Sequence, residues 1–175
     1  QDAFQAAAQF ALAFDTLIRQ AGGDARGTIG IVRVDPNQGN VIPREVRLSL
    51  EIRDSEAARL AWLTAQTEAL AQASATDRNV SAQIRRAYSA PPVPMAPHLM
   101  ATLDQAAAGR AMRLLSGANH DAGIVGQHIP AAMLFVPSRG GISHTPDEHT
   151  DPAPIDAAAD VLTAALARLI ESPTP

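Results

Sequence analysis

The chain of 175 residues contains no cysteine. That absence excludes a disulfide framework, a thiolate metal site and a cysteine nucleophile. Lysine is missing too: the 14 basic residues are scattered arginines, set against 18 acidic residues for a formal net charge of −4. No basic stripe forms, which argues against a nucleic-acid partner. No apolar run approaches the ~20 residues of a membrane span, so no membrane partner is expected. The chain from Gln1 shows neither the basic nor the apolar region of a secretory signal, and a cytoplasmic location is the matching expectation. There is no phosphate-binding P-loop, dinucleotide fingerprint or serine nucleophile elbow. What is present is globular: 46% hydrophobic, with a mean hydropathy of −0.03. The length suits one large domain or two small ones.

Residues 2–20 carry Phe4, Ala7, Ala11, Phe14 and Ile18 at helical spacing. The glycines of "AGGDARG" (21–27) stop that helix. "TIGIVRV" (28–34) and "VRLSLEIRD" (46–54) alternate as strands around the turn-rich "DPNQGN" (35–40). Residues 55–75 form an amphipathic helix with Ser55 as its expected N-cap, and 79–88 read as a third strand. The order is helix, strand, strand, helix, strand. One strand before Gln1 would complete βαββαβ, the split ferredoxin-like sandwich. The pattern also begins in mid-helix, as if the N-terminus of a longer protein were missing. "SAPPVPMAP" (89–97) marks the boundary between domains at 1–88 and 89–175. Beyond it the spacing predicts a helix over 97–110, a short strand in "MRLLSGA", a short helix over 120–128, a buried strand at 131–138, a polar loop at 139–151 and a helix over 154–171. That alternation suits part of an α/β layer.

Four of the five histidines fall between residues 120 and 149. His144 follows a strand and a glycine pair, where α/β folds place ligands, and imidazole is the commonest protein metal ligand. A solvated loop histidine fits the same position. His128 and His149 read as loop residues and His98 as a helix-start residue. Ser116-Gly117-Ala118 leads into Asn119, His120 and Asp121, and small residues let a ligand approach the backbone. Asp121 and Glu148 could orient the neighbouring imidazoles, while Asp121 equally suits the first turn of a helix. Asn40 ends a turn and Arg53 ends a strand. They read either as a turn residue and an edge arginine, or as a polar pair for a carboxylate.

"SGANHDA" (116–122) and "AAMLFVPSRGGISHTPDEHT" (131–150) closely resemble the C-terminal part of the M20-type metallo-amidohydrolases. The nearest branch holds N-carbamoyl-L-amino-acid hydrolases, allantoate amidohydrolases and β-ureidopropionases. "TIGIVRVDPNQGNVIPREVRLSLEIRD" (28–54) resembles the lid, or dimerisation, domain of that family. The resemblance implies an α/β, overall α+β, protein: a ferredoxin-like βαββαβ lid domain lacking its first strand, then the C-terminal part of an α/β metallopeptidase-like catalytic domain. It implies hydrolysis of linear amide or ureido C–N bonds by water bridged between two divalent metals (Zn, Mn, Co or Ni). His144 would be one metal ligand. His120 would contact substrate and stabilise the tetrahedral intermediate. Asn40 and Arg53 would bind the carboxylate or amide of a small substrate, and Asn119 would lie beside it. A homodimer through the lid domain is implied as well.

Two departures matter. Many relatives carry glycine at the position of Asn119, and asparagine is the best substitute if φ there is positive. No His-x-Asp motif, bridging aspartate or Glu-Glu pair is present, so this polypeptide alone is expected to be inactive and to bind no metal. The alternatives are a non-catalytic dimerisation module, or an aminoacylase or dipeptidase of the wider family.

Overall fold

Asp2 starts the first helix. Its Oδ1 accepts from the backbone N–H groups of Phe4 (2.9 Å) and Gln5 (3.3 Å), satisfying two donors that a helix start leaves open. Helix α1 runs Ala3–Ala21 and ends at Gly22 and Gly23, both at positive φ. Its buried residues are Ala6, Phe10 and Phe14. The face is thus rotated from the expected one: Phe14 belongs to both, but Phe4 is exposed. The cause is Phe10, which stacks on Phe14 at 5.9 Å between ring centroids. Burying two rings outweighs burying the methyl groups of Ala7 and Ala11.

This computed structural model describes residues 1–171, which fall into two compact units, Gln1–Pro92 and the chain from Val93 onward. In the first, β1 (Arg26–Asp35) pairs antiparallel with β2 (Glu45–Arg53), with an irregularity between Ile29 and Ile31. Helix α1 lies so close to β1 that a Cβ on Gly27 would come within 2.7 Å of the Phe14 ring and 2.5 Å of Ile18. The register sets like charges opposite each other: Arg26 and Arg53, Arg33 and Arg47, Asp35 and Glu45. Such pairs repel. Neighbours offset them, since Arg53 pairs with Glu51, Arg47 with Glu45 and Arg44 with Asp35.

Helix α2 spans Ala57–Asp77 and buries Leu63 completely. Ser55 is not its N-cap. Its hydroxyl donates to Asp24 Oδ2 (2.8 Å), and Glu56 takes the cap position. Asp54 does the local work instead. Its buried carboxylate accepts from the Glu56 N–H (2.8 Å) and from Nε and NH2 of Arg59 (2.6 and 2.7 Å). The Arg59 hydrogen bonds hold the Asp54 carboxyl below its ordinary range, against the opposing effect of burial. Gln9 joins the helices, donating to Asp77 (2.8 Å) and accepting from Arg78 (2.8 Å).

The expected strand at 79–88 forms no ladder. In a βαββαβ sandwich the last strand lies beside the first, not beside the central hairpin. The described residues have no strand before α1, so this segment finds no neighbouring strand among them, and alternation without one does not make a strand.

In the second unit α3 (Pro97–Ala107) and α5 (Pro152–Glu171) pack through Ala106, Ala107, Val161 and Ala165, with Leu103, Leu134 and Ala164 against them. Pro97 opens α3 where a missing N–H costs nothing, with His98 next to it. Helix α4 is short, Asp121–Val125. The strands expected at 112–118 and 131–138 are not formed, although Leu134 reaches the helical core and Ala131 O accepts from Ala96 N (2.8 Å). Strands of an α/β layer need neighbours on both edges and cover on both faces. Here Met112 and Leu114 stay 77% and 64% exposed. The molecule is a mixed α/β structure with a two-stranded sheet and five α-helices among the described residues. None of those helices is long and apolar enough to cross a membrane.

Candidate functional site

The loop from Ser116 to Ala118 delivers His120 to the N-cap of α4 with extended backbone (φ −134°, ψ 153°). The cap is made by backbone alone, since Gly123 N donates to His120 O (2.9 Å) and no side chain contributes. The imidazole is therefore left for other work. It is half-buried, with Nε2 2.6 Å from Ser116 Oγ. Phe135 meets it edge to face, with centroids 5.4 Å apart and an interplanar angle of 62°. His120 Nδ1 has no hydrogen-bond partner among the described residues. Sequence reasoning takes Ser116 only for its small size, not as a partner of the ring, and does not find Phe135. A hydroxyl four residues before a histidine is the signal that could have found Ser116.

Asp121 does not orient His120. It is the first-turn acid of α4, where a negative charge suits the helix dipole. Asn119 is exposed and is not among the residues at positive φ, so the side chain there carries no backbone cost.

His144 does occupy the left-handed region, at φ 59°. Its N–H donates to Glu148 Oε2 (2.8 Å). Thr145 closes the turn, its carbonyl accepting from Glu148 N (3.1 Å) and its hydroxyl from Asp147 N (3.3 Å). Glu148 therefore holds the backbone of His144 rather than its ring. Further along, Arg139 NH2 (2.6 Å) and His149 Nε2 (3.2 Å) both reach Asp151, and Arg139 N donates to His149 O (2.8 Å). That cluster ties the two ends of the polar loop together. His128 and His98 are exposed, the first just after α4 and the second in α3.

Zinc and similar ions need three or four protein donors. Among the described residues no group of three or more His, Asp or Glu side chains could hold an ion. His144 can offer one donor. These residues therefore do not fit a complete metal centre by themselves, and no chemical step is routed through one.

Asn40 and Arg53 belong to the first unit, whereas Asn119, His120 and His144 belong to the second. Asn40 is exposed in the connection between β1 and β2. Arg53 closes β2 at the other end of the hairpin, about 26 Å away at the ~3.3 Å rise of an extended strand. The hairpin thus keeps the two apart. Arg53 is half-buried, and its Nε and NH2 both lie on Glu51 Oε1, at 2.7 and 2.6 Å. Partly exposed pairs of this kind contribute about 0–1 kcal/mol.

The family model for peptidase family M20/M25/M40 matches residues 3–168. The chain is 35% identical over 149 residues to an allantoate amidohydrolase of Bacillus subtilis, covering 83% of this chain and 36% of that enzyme. It is 30% identical over 154 residues to an N-carbamoyl-L-amino-acid amidohydrolase of Paenarthrobacter aurescens, covering 86% and 37%. Among solved structures it superposes on an amidase of the hydantoinase/carbamoylase family from Burkholderia multivorans with a TM-score of 0.86 and 30% identity, over 95% of this chain and 42% of that one. The chain spans little more than a third of the length of these curated relatives.

Proposed function

The chain belongs to peptidase family M20/M25/M40, and from that membership we propose that it forms the lid-domain and C-terminal catalytic portions of a metal-dependent amidohydrolase. The bond cleaved is a linear amide or ureido C–N bond, in an N-carbamoyl-L-amino acid or allantoate. The observation that carries this reading is His120: a half-buried imidazole, fixed on one nitrogen and open on the other, beside a loop of small residues. Its role is to meet an oxygen of the substrate and stabilise charge developing there, a contribution of about 10²–10³ in kcat where it has been measured for single donors of this kind. Asn119 flanks it. Arg53, and at the other end of the hairpin Asn40, bind carboxylate or amide groups, with Glu51 yielding the guanidinium. His144 supplies one ligand to a divalent metal pair of Zn, Mn, Co or Ni, whose other donors lie outside the described residues. Residues 1–175 alone therefore neither hold the metals nor turn over substrate. We place the protein in the cytoplasm as a homodimer joined through the lid-domain sheet, where β1 and β2 each keep one open edge and Ile31 and Val32 are exposed.

The test is a chimera in which residues 3–168 replace the matching segment of the Bacillus subtilis enzyme. Ammonia release from allantoate or N-carbamoyl-L-alanine is the expected result. A soluble, metal-loaded chimera that cleaves only dipeptides or N-acyl amino acids would move the chain to the dipeptidase or aminoacylase reading. One that forms dimers but cleaves nothing would leave the dimerisation module. Light scattering of the same sample reads the oligomer.

A further inference from the structure

The Ser116–His120 contact fixes more than the position of a ring. Ser116 Oγ has three neighbours: it accepts from Ala118 N (3.2 Å), lies 3.4 Å from Ala118 O, and lies 2.6 Å from His120 Nε2. The hydroxyl carries one proton. The carbonyl at 3.4 Å is at the far limit of hydrogen bonding, whereas the imidazole nitrogen is well inside it. If Nε2 donated instead, the hydroxyl proton would be left with only that marginal carbonyl, so the geometry favours the proton on the Nε2 contact and Nε2 as its acceptor. In a neutral imidazole the other nitrogen then carries the hydrogen. That nitrogen, Nδ1, has no partner among the described residues. Phe135 packs against the ring at 62° and opposes its rotation, so the ring cannot readily exchange its two nitrogens.

We propose that Ser116 is a positioning residue that holds His120 as the Nδ1–H tautomer and so makes it a hydrogen-bond donor to a substrate oxygen. This rests on the functional reading of His120 given above and adds which nitrogen serves and what it selects. A donor at Nδ1 takes a carbonyl, ureido or carboxylate oxygen. It rejects an amide N–H and does not ligate a metal in this form. A hydroxyl, not an acid, faces Nε2, so no carboxylate sits behind the ring to draw in a cationic ligand.

The test is ¹⁵N NMR of the histidine rings in the 175-residue chain above neutral pH, read for the native chain, Ser116→Ala and Ser116→Thr. The native chain should show His120 with its proton mainly on Nδ1. Ser116→Ala should move the majority to Nε2, the form that free imidazole side chains prefer in water. Ser116→Thr keeps the hydroxyl and should restore the native pattern, which separates loss of the proton donor from general damage to the loop. A native His120 protonated mainly on Nε2, or a tautomer that ignores Ser116→Ala, overturns the proposal. Failure of the functional reading looks different. If His120→Ala leaves turnover by the chimera unchanged, the reading falls, and with it the ligand assigned to Nδ1, whatever the tautomer. If turnover is lost in His120→Ala but the native ring carries its proton on Nε2, only the present inference is overturned.

Discussion

The two units of this chain contrast in how they build a core. The first closes on itself: Phe10 and Phe14 stack, Leu63 is fully buried, and a hairpin whose strands follow one another in sequence supplies its own ladder. The second relies on two helices meeting through three alanines and Val161, while the strand-like stretches around Leu114 and Leu134 find no ladder. A hairpin needs only a turn to complete it, whereas the strands of a parallel layer need neighbours brought from far along the chain. The candidate catalytic side chains, His120 and His144, lie in the unit with the less complete framework.

Five substitutions sharpen that contrast, taken from the largest effect to the smallest. Leu63→Ala should cost the first unit about 2–5 kcal/mol, whereas Val161→Ala in the second should cost less, because a smaller and less completely buried side chain is removed. Hydrogen exchange read separately in each unit distinguishes them, and equal losses would erase the difference. Asp54→Asn should cost about 1–3 kcal/mol by removing the buried carboxylate from Arg59, which keeps only the exposed Glu56. Its pH dependence has a definite sign. The folded-state pKa of Asp54 is lowered, so its stabilisation is present above the unfolded-state value near 4 and is lost as pH falls through the folded value. In urea titrations the native chain should therefore lose stability below about pH 4 more steeply than Asp54→Asn; parallel curves would show that the pair contributes nothing. Gly27→Ala should cost about 1–3 kcal/mol by driving a methyl group into Phe14 and Ile18, and thermal melts will show it. Asp2→Ala should be the mildest, about 1 kcal/mol, confined to exchange protection in the first turn of α1.

The same contrast explains what the sequence reveals. Helices α1, α2, α3 and α5 and both hairpin strands are written in local periodicity and turn residues, and they form within a few residues of where those signals put them. Alternation at 79–88 and the apolar run at 131–138 are equally clear, but a strand is a relation between two segments, and one segment's pattern carries no information about whether its neighbour is present. At the site, residue type draws attention to His120 and His144; the first is half-buried at the start of α4 and the second lies in a loop at positive φ. Their rings do not meet the carboxylates that the sequence alone offers them. Of the two readings open to Asp121, the structure shows the first-turn acid of α4; Glu148 binds a backbone N–H, while a serine takes the ring of His120. Backbone donors left open by a tight turn compete for carboxylates, and that competition shows only once the turn is built.

The most direct measurement is kcat/KM of the chimera for N-carbamoyl-L-alanine and allantoate, with and without His120→Ala, at matched metal content. Ammonia release in the parent chimera and a loss of about a hundredfold or more in the variant, with the metals retained, is the expected result. Activity within about twofold of the parent would contradict the central claim that this histidine meets the substrate.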